Sequence, residues 1–194
     1  MSTTSVAAKF PGALSGLERR GGGILVVGTP DGQRRVCERL LGSGDRERLV
    51  VDTDQAQLTA NCHHGATEVR ARPTQAAACR AGAVMQSSTL ADRVAETIDD
   101  HARGLDPSEL RICLGSAASD ATAARSIFFD AVLTELERVS ALGHVHVPGT
   151  YDSDLVRRLE PLFDAVVEVQ TQPRPQQRWH VPDHDVTTDW IGLG

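Results

Sequence analysis

The octet Gly28-Thr29-Pro30-Asp31-Gly32-Gln33-Arg34-Arg35 stands where a phosphate-binding loop would, after an apolar run and before a helical pattern. The motif for that chemistry is G-x-x-x-x-G-K-[ST]. Its backbone N–H groups cradle phosphates, its Lys reaches the outer oxygens, and its hydroxyl holds Mg²⁺. Gly28 fills the first position, and Gly32 falls one place early. Gln33 replaces the second Gly, Arg34 the Lys and Arg35 the hydroxyl residue. Arg34 substitutes loosely as a cation, but Arg35 cannot ligate Mg²⁺. Asp31 sets a negative charge in a loop meant for anions. What such a segment retains is anion binding at a helix N-terminus, using Arg34 and the amides of Thr29 to Gln33.

Other reactive residue types are spaced less productively. Cys62-His63-His64 are adjacent, and adjacent helical residues point about 100° apart, so they cannot easily share one ion. A zinc site wants separated pairs, with Cys79 the only nearby addition. His144 and His146 alternate on a strand and share one face, without further ligands in view. His180, Asp183, His184 and Asp185 form a polar turn that reads as a solvated hairpin. Ser116 and Ser119 follow a strand, but Leu114-Gly115-Ser116-Ala117-Ala118 lacks the second Gly of a nucleophile elbow. Asp120 reads as a helix N-cap. Cys37 and Cys113 sit in apolar patterns and read as small buried hydrophobes. With no C-x-x-C, a disulfide framework is not expected. No metal ligand set is assigned.

The elements that must position these residues follow from periodicity. Continuous apolar runs predict buried strands at 24–28, 48–52, 110–114, 144–147 and 165–169. Residues 67–70 are expected to make a weak strand at an edge, and 178–181 an edge strand. Helices fit 31–42, 121–141 and 152–162, and a short one fits 55–62. A further helix opens at Ser88 as N-cap and carries Leu90, Val94, Ile98 and His101 to a stop at Gly104. The face of the 121–141 helix is Ile127, Phe128, Val132, Leu136 and Val139, with Gly143 as its cap. Residues 1–20 show no clear period. Strands alternating with helices over 24–169 predict a mostly parallel sheet with helices on both faces. Ligands in such folds bind at the strands' carboxyl ends, here near Gly28, Asp52, Asp54, Gly115 and Pro148.

Composition narrows the classes. The chain has 194 residues, 26 acids and 20 bases, for a net charge of −6. That balance argues against non-specific nucleic-acid binding. The short pairs Arg19-Arg20 and Arg157-Arg158 lack the aromatic residues of a stacking surface. Lys9 is the single lysine, which reads as GC-rich coding bias, and mild acidity suits a salty cytoplasm. No apolar run of about 18 residues predicts a membrane span. The N-terminus lacks a secretory pattern, so a cytoplasmic protein is expected.

Together these pieces resemble the RecA/KaiC-like branch of P-loop ATPases, and more closely a group of KaiC-related proteins from salt-loving archaea. The resemblance covers about residues 20–192 by order and spacing. It rests on Gly28-Thr29-Pro30, Ser87 to Asp92, Arg111 to Ser116, Leu142 to Val147, and Arg178-Trp179-His180-Val181 through Asp189-Trp190. It implies a three-layer RecA-like α/β domain over 21–170. Residues 1–20 are expected to form a poorly ordered N-terminal segment, and 171–194 a linker and β extension on the same domain. Active relatives carry an acid where Gly115 stands, and acids near Asp52 and Asp54. Phosphoryl transfer depends on positioning and charge neutralisation by metal and base. Loss of the hydroxyl and the acid together therefore implies a non-catalytic relative. It would act through protein partners or self-association, in regulation or signalling, without a required cofactor. ATP or ADP is the ligand class for two alternatives: a sensor without efficient hydrolysis, and a weak ATPase completed by a partner subunit. Residues assigned to nucleotide contact are Gly28, Thr29, Gly32, Gln33, Arg34, Asp52 and Asp54; none is assigned a catalytic role.

Overall fold

A computed structural model of the chain describes residues 3–44, 46–52, 66–70, 83–115 and 122–193. Helix α1 (Thr3–Arg20) leads into strand β1 (Gly22–Gly28), helix α2 (Pro30–Leu41), β2 (Glu47–Asp52) and β3 (Thr67–Arg70). Then come α3 (Ala83–Ala102), β4 (Leu110–Leu114), α4 (Thr122–Arg138), β5 (Leu142–Pro148) and α5 (Asp154–Leu159). A 3-10 turn, Glu160–Leu162, extends α5. The chain closes with β6 (Ala165–Gln170), β7 (Gln176–Val181), β8 (Val186–Thr187) and β9 (Ile191–Gly192).

All the strands join one sheet in the order β3-β2-β4-β5-β1-β6-β7-β8, with β9 also paired to β7. Pairings from β3 across to β6 are parallel, and those of β7 with β6, β8 and β9 are antiparallel. In the two common doubly wound orders β1 and β2 are neighbours. Here β4 and β5 separate them.

Two helical layers cover the sheet. On one face Leu25, Val27, Leu49, Val51, Ile112, Leu114, Val145 and Val147 pack with Val94 and Ile98 of α3, Phe128 and Leu136 of α4, and Val156 of α5. On the other, Ile24, Val26 and Val167 pack with Ala13 and Leu17 of α1, Val36 of α2 and Trp179. Continuous apolar strands follow from this burial on both faces. No helix among the described residues is long and apolar enough to cross a membrane.

The sequence-based expectations hold best at the strands. They differ in five places. Residues 3–20 are helical, and Phe10 rests on Trp179 with ring centroids 5.5 Å apart. Helix α3 begins before Ser88, which lies inside it rather than at its cap. Helix α4 stops at Arg138 through a Schellman pair, Ala141 N–H to Leu136 carbonyl at 2.8 Å and Ser140 N–H to Glu137 carbonyl at 3.1 Å. Ser140 takes the left-handed φ of 54°, so Gly143 is not the cap but part of β5. Ile127 faces out at 41% exposed, and Phe129 replaces it in the core. Strand β7 is not an edge, because β8 and β9 cover its outer side. The helix expected at 55–62 and the Asp120 cap lie outside the described residues.

Leu17 is 2% exposed, so Leu17→Ala removes buried methyl groups from the α1 contact. Urea unfolding is expected to show a loss of about 2–4 kcal/mol. A loss below about 0.5 kcal/mol, the size of a surface substitution, would mean that α1 is not docked.

Candidate functional site

The β1–α2 junction is tight. Gly28 ends β1, Thr29 alone links strand to helix, and Pro30 opens α2 with its φ already helical. The Gln33 N–H donates to the Thr29 carbonyl at 2.9 Å, closing the first turn. Gly28 has φ 142°, and a Cβ there would stand 2.2 Å from the Val169 carbonyl oxygen. A Cβ at Gly32 would stand 2.6 Å from Val169 Cγ1. Both glycines therefore serve the close approach of α2 to β6.

Gln33 turns inward and is 2% exposed. Its Nε2 donates to the Val147 carbonyl at 2.6 Å and to the Val26 carbonyl at 3.3 Å. It thus ties α2 to β5 and β1. Arg34 points outward, 4.0 Å from Glu38, a separation worth little on a surface. Asp31 lies in the first turn, where its charge complements the helix dipole. The structure brings Gly28, Thr29, Gly32, Gln33 and Arg34 together. Asp52 ends β2, three strand positions from β1, or about 14 Å by strand spacing. Asp54 and the Asp52 side chain lie outside the described residues, as do Cys62, His63, His64, Cys79, Ser116 and Ser119. Gly115 follows β4 and donates its N–H to the Val51 carbonyl at 2.9 Å.

Behind Gln33, one turn along α2, lies a second cluster. Cys37 Sγ is 3.6 Å from Cys113 Sγ and 3.2 Å from His144 Nε2. The rings of His144 and His146 meet edge to face, with centroids 5.1 Å apart. Cys37 and Cys113 are 0% exposed, His144 2% and His146 4%. One donor atom from each of the four lies within 4.8 Å of every other. Register explains the meeting: Cys113 pairs directly with His144 across β4 and β5. The cysteines are buried as expected, and the two histidines share their face with two more potential donor atoms, the Cys37 and Cys113 sulfurs. The signal was H-x-H on a strand with a cysteine one strand away.

Two further polar clusters, around Arg111 and around His180, are drawn into the fold. Arg111 shares the α1/α2 face, and its Nη2 donates to Glu18 Oε1 at 2.9 Å beside a cavity of about 170 Å³. Burial pulls the Arg111 pKa down, the Glu18 hydrogen bond opposes that, and Arg46 adds to the fall. On the α5 side Tyr151 stacks on His180 with centroids 4.0 Å apart and donates its hydroxyl to Glu160 at 2.6 Å. Burial and that bond raise the Tyr151 pKa, which keeps the phenol protonated. Arg178 donates to Glu168 at 2.6 Å and lies over the Trp190 ring. His180 is therefore not part of a solvated hairpin. Its Nε2 is 3.6 Å from Glu168, too long for a hydrogen bond. Burial, assisted by Arg178, holds its pKa below 6.5 against the pull of Glu168.

A mostly parallel α/β protein with helices packed on both sheet faces and a closed β1–α2 junction is the class these features define. Residues 21–169, from just before β1 into β6, match a family of unknown function (DUF7504), and the chain belongs to that family. A comparison with curated proteins finds no match.

The His180 environment sets a pH dependence. A folded pKa below the unfolded value of 6.5 means that the unfolded chain takes up the proton first. Stability therefore falls as pH drops through 6.5 and levels off below the folded pKa. Thermal unfolding between pH 7.5 and about 5 is expected to show a smaller fall for His180→Gln than for the native chain. Equal falls would contradict the assignment.

Proposed function

We propose that this chain is a non-catalytic relative of RecA/KaiC-like ATPases that acts in the cytoplasm through protein contacts, in regulation or signalling. The β1–α2 junction is the observation that carries the reading. Only Thr29 lies between strand and helix. A phosphate cradle needs several free loop amides aimed at one anion. Pro30 has no N–H, and the Gln33 N–H is used within the helix. Asp31 puts an acidic residue in the first turn of α2, where it opposes an incoming anion. Gln33 stands in the position of the second motif Gly and is engaged by two sheet carbonyls. Gly115, in the place of the Mg²⁺-organising acid, has no side chain to offer.

The sensor alternative draws on Arg34, which is exposed and only loosely engaged by Glu38. It needs the anion to sit beside Asp31 with the amides of Asp31 and Gly32 as its main donors. Completion by a partner subunit would supply charge, but not a wider loop. A scaffold that keeps its sheet and closes its anion site is suited to presenting surface rather than to turning over nucleotide.

The test is thermal unfolding in molar KCl with millimolar ATP or ADP, each with and without Mg²⁺, alongside phosphate release. The expected result is no shift and no turnover. A nucleotide at about a hundred times its Kd would raise the midpoint by about 5–10 °C. A Mg²⁺-dependent rise with phosphate release would overturn the reading. A Mg²⁺-independent rise that Arg34→Ala removes would replace it with the sensor.

A further inference from the structure

The α1/α2 face of the sheet should be apolar, because helices cover it. Along β4 and β5 it instead carries Arg111, Cys113, His144 and His146. Arg111 is accounted for by Glu18. The remaining three converge with Cys37 of α2.

We infer that Cys37, Cys113, His144 and His146 form a closed tetrahedral site for one zinc ion. Two thiolates and two imidazoles are a common structural zinc set. With Zn–S near 2.3 Å and Zn–N near 2.0–2.1 Å, a tetrahedron holds its donor atoms about 3.3–3.8 Å apart. The observed Cys37–Cys113 and Cys37–His144 separations are 3.6 Å and 3.2 Å. No pair exceeds 4.8 Å, so a small ring rotation closes the set. Soft sulfur with imidazole selects zinc over magnesium or calcium, which prefer oxygen donors.

Charge supports the same assignment. Binding displaces one proton from each thiol, and both go to solvent. Zn²⁺ with two thiolates and two neutral imidazoles then carries no net charge. A neutral centre is what a site this deeply buried tolerates. Four protein donors leave no open position, so the ion is structural rather than a source of activated water. It would pin α2 to β4 and β5 one turn beyond Gln33. The inference does not depend on the proposed function, since a chain that binds ATP would still carry these residues.

Metal analysis of the purified full chain, followed by Co²⁺ substitution, tests the site. The expected result is one zinc per chain, replaced by a Co²⁺ centre with intense tetrahedral visible bands and thiolate-to-cobalt charge transfer. Removing the ion with a chelator should lower the unfolding midpoint by about 10 °C, and added Zn²⁺ should restore it. Cys113→Ser and His146→Gln should each purify without a stoichiometric ion. The double variant Cys62→Ser/Cys79→Ser should keep it, which separates this site from Cys62-His63-His64 and covers variants that fail to fold. A native chain that binds neither zinc nor Co²⁺ would overturn the inference. So would a Cys37–Cys113 disulfide in freshly purified protein, or an ion lost with Cys62 and Cys79.

Discussion

Helix α2 is seated against the sheet at a distance that leaves no room for a side chain at Gly28 or Gly32. Their nearest obstacles both belong to Val169, one being its carbonyl oxygen. Backbone cannot yield as a flexible side chain can, so this contact fixes where α2 starts. The β1–α2 connection is short because the helix begins against β6. Gln33 can reach the carbonyls of Val26 and Val147 because the helix is close. Cys37, one turn further on, is carried down onto Cys113 and His144 for the same reason.

That seating also decides what the sheet face can contain. A polar atom buried without a partner costs roughly 1–3 kcal/mol, and an unpaired charge more. The face beneath α1 and α2 therefore needs an answer for each polar residue it holds. Glu18 answers Arg111 from α1, and its hydrogen bond opposes the pKa fall that burial imposes. His144 Nε2 meets Cys37 Sγ and its ring lies edge to face with that of His146, whose Nδ1 stays buried without a hydrogen bond. The opposite face, with α3, α4 and α5, follows the simpler rule of an apolar core, and its polar groups gather around Tyr151, Glu168 and His180 beyond the end of that core.

Strands β1, β4 and β6 were legible in the sequence because burial on both faces leaves near-continuous apolar runs with sharp ends. The strand at 144–147 was legible despite its histidines, because Val145 and Val147 keep the alternation. Helix α1 was hidden by Pro11, Gly12 and Gly16, which weaken local propensity, while docking against Trp179 restores the helix. The cap of α4 was misplaced because Ser140 adopts a backbone conformation usually given to glycine. The Cys/His cluster spans α2, β4 and β5, so strand register and the seating of α2 together bring it about, and neither is written in local sequence. The loop residues Gly28 and Gly32 were found by motif, but a motif cannot distinguish a glycine that approaches phosphate from one that approaches Val169.

Amide hydrogen exchange across residues 28–41, with and without Mg²⁺-ATP, tests the seating of α2 most directly. Exchange reports how often each backbone bond opens. Gln33 and the following turns are expected to exchange only through global unfolding, with no change on adding nucleotide. Rapid exchange at residues 31–35 that slows with Mg²⁺-ATP would contradict it, because the segment would then be an open loop that closes on phosphate.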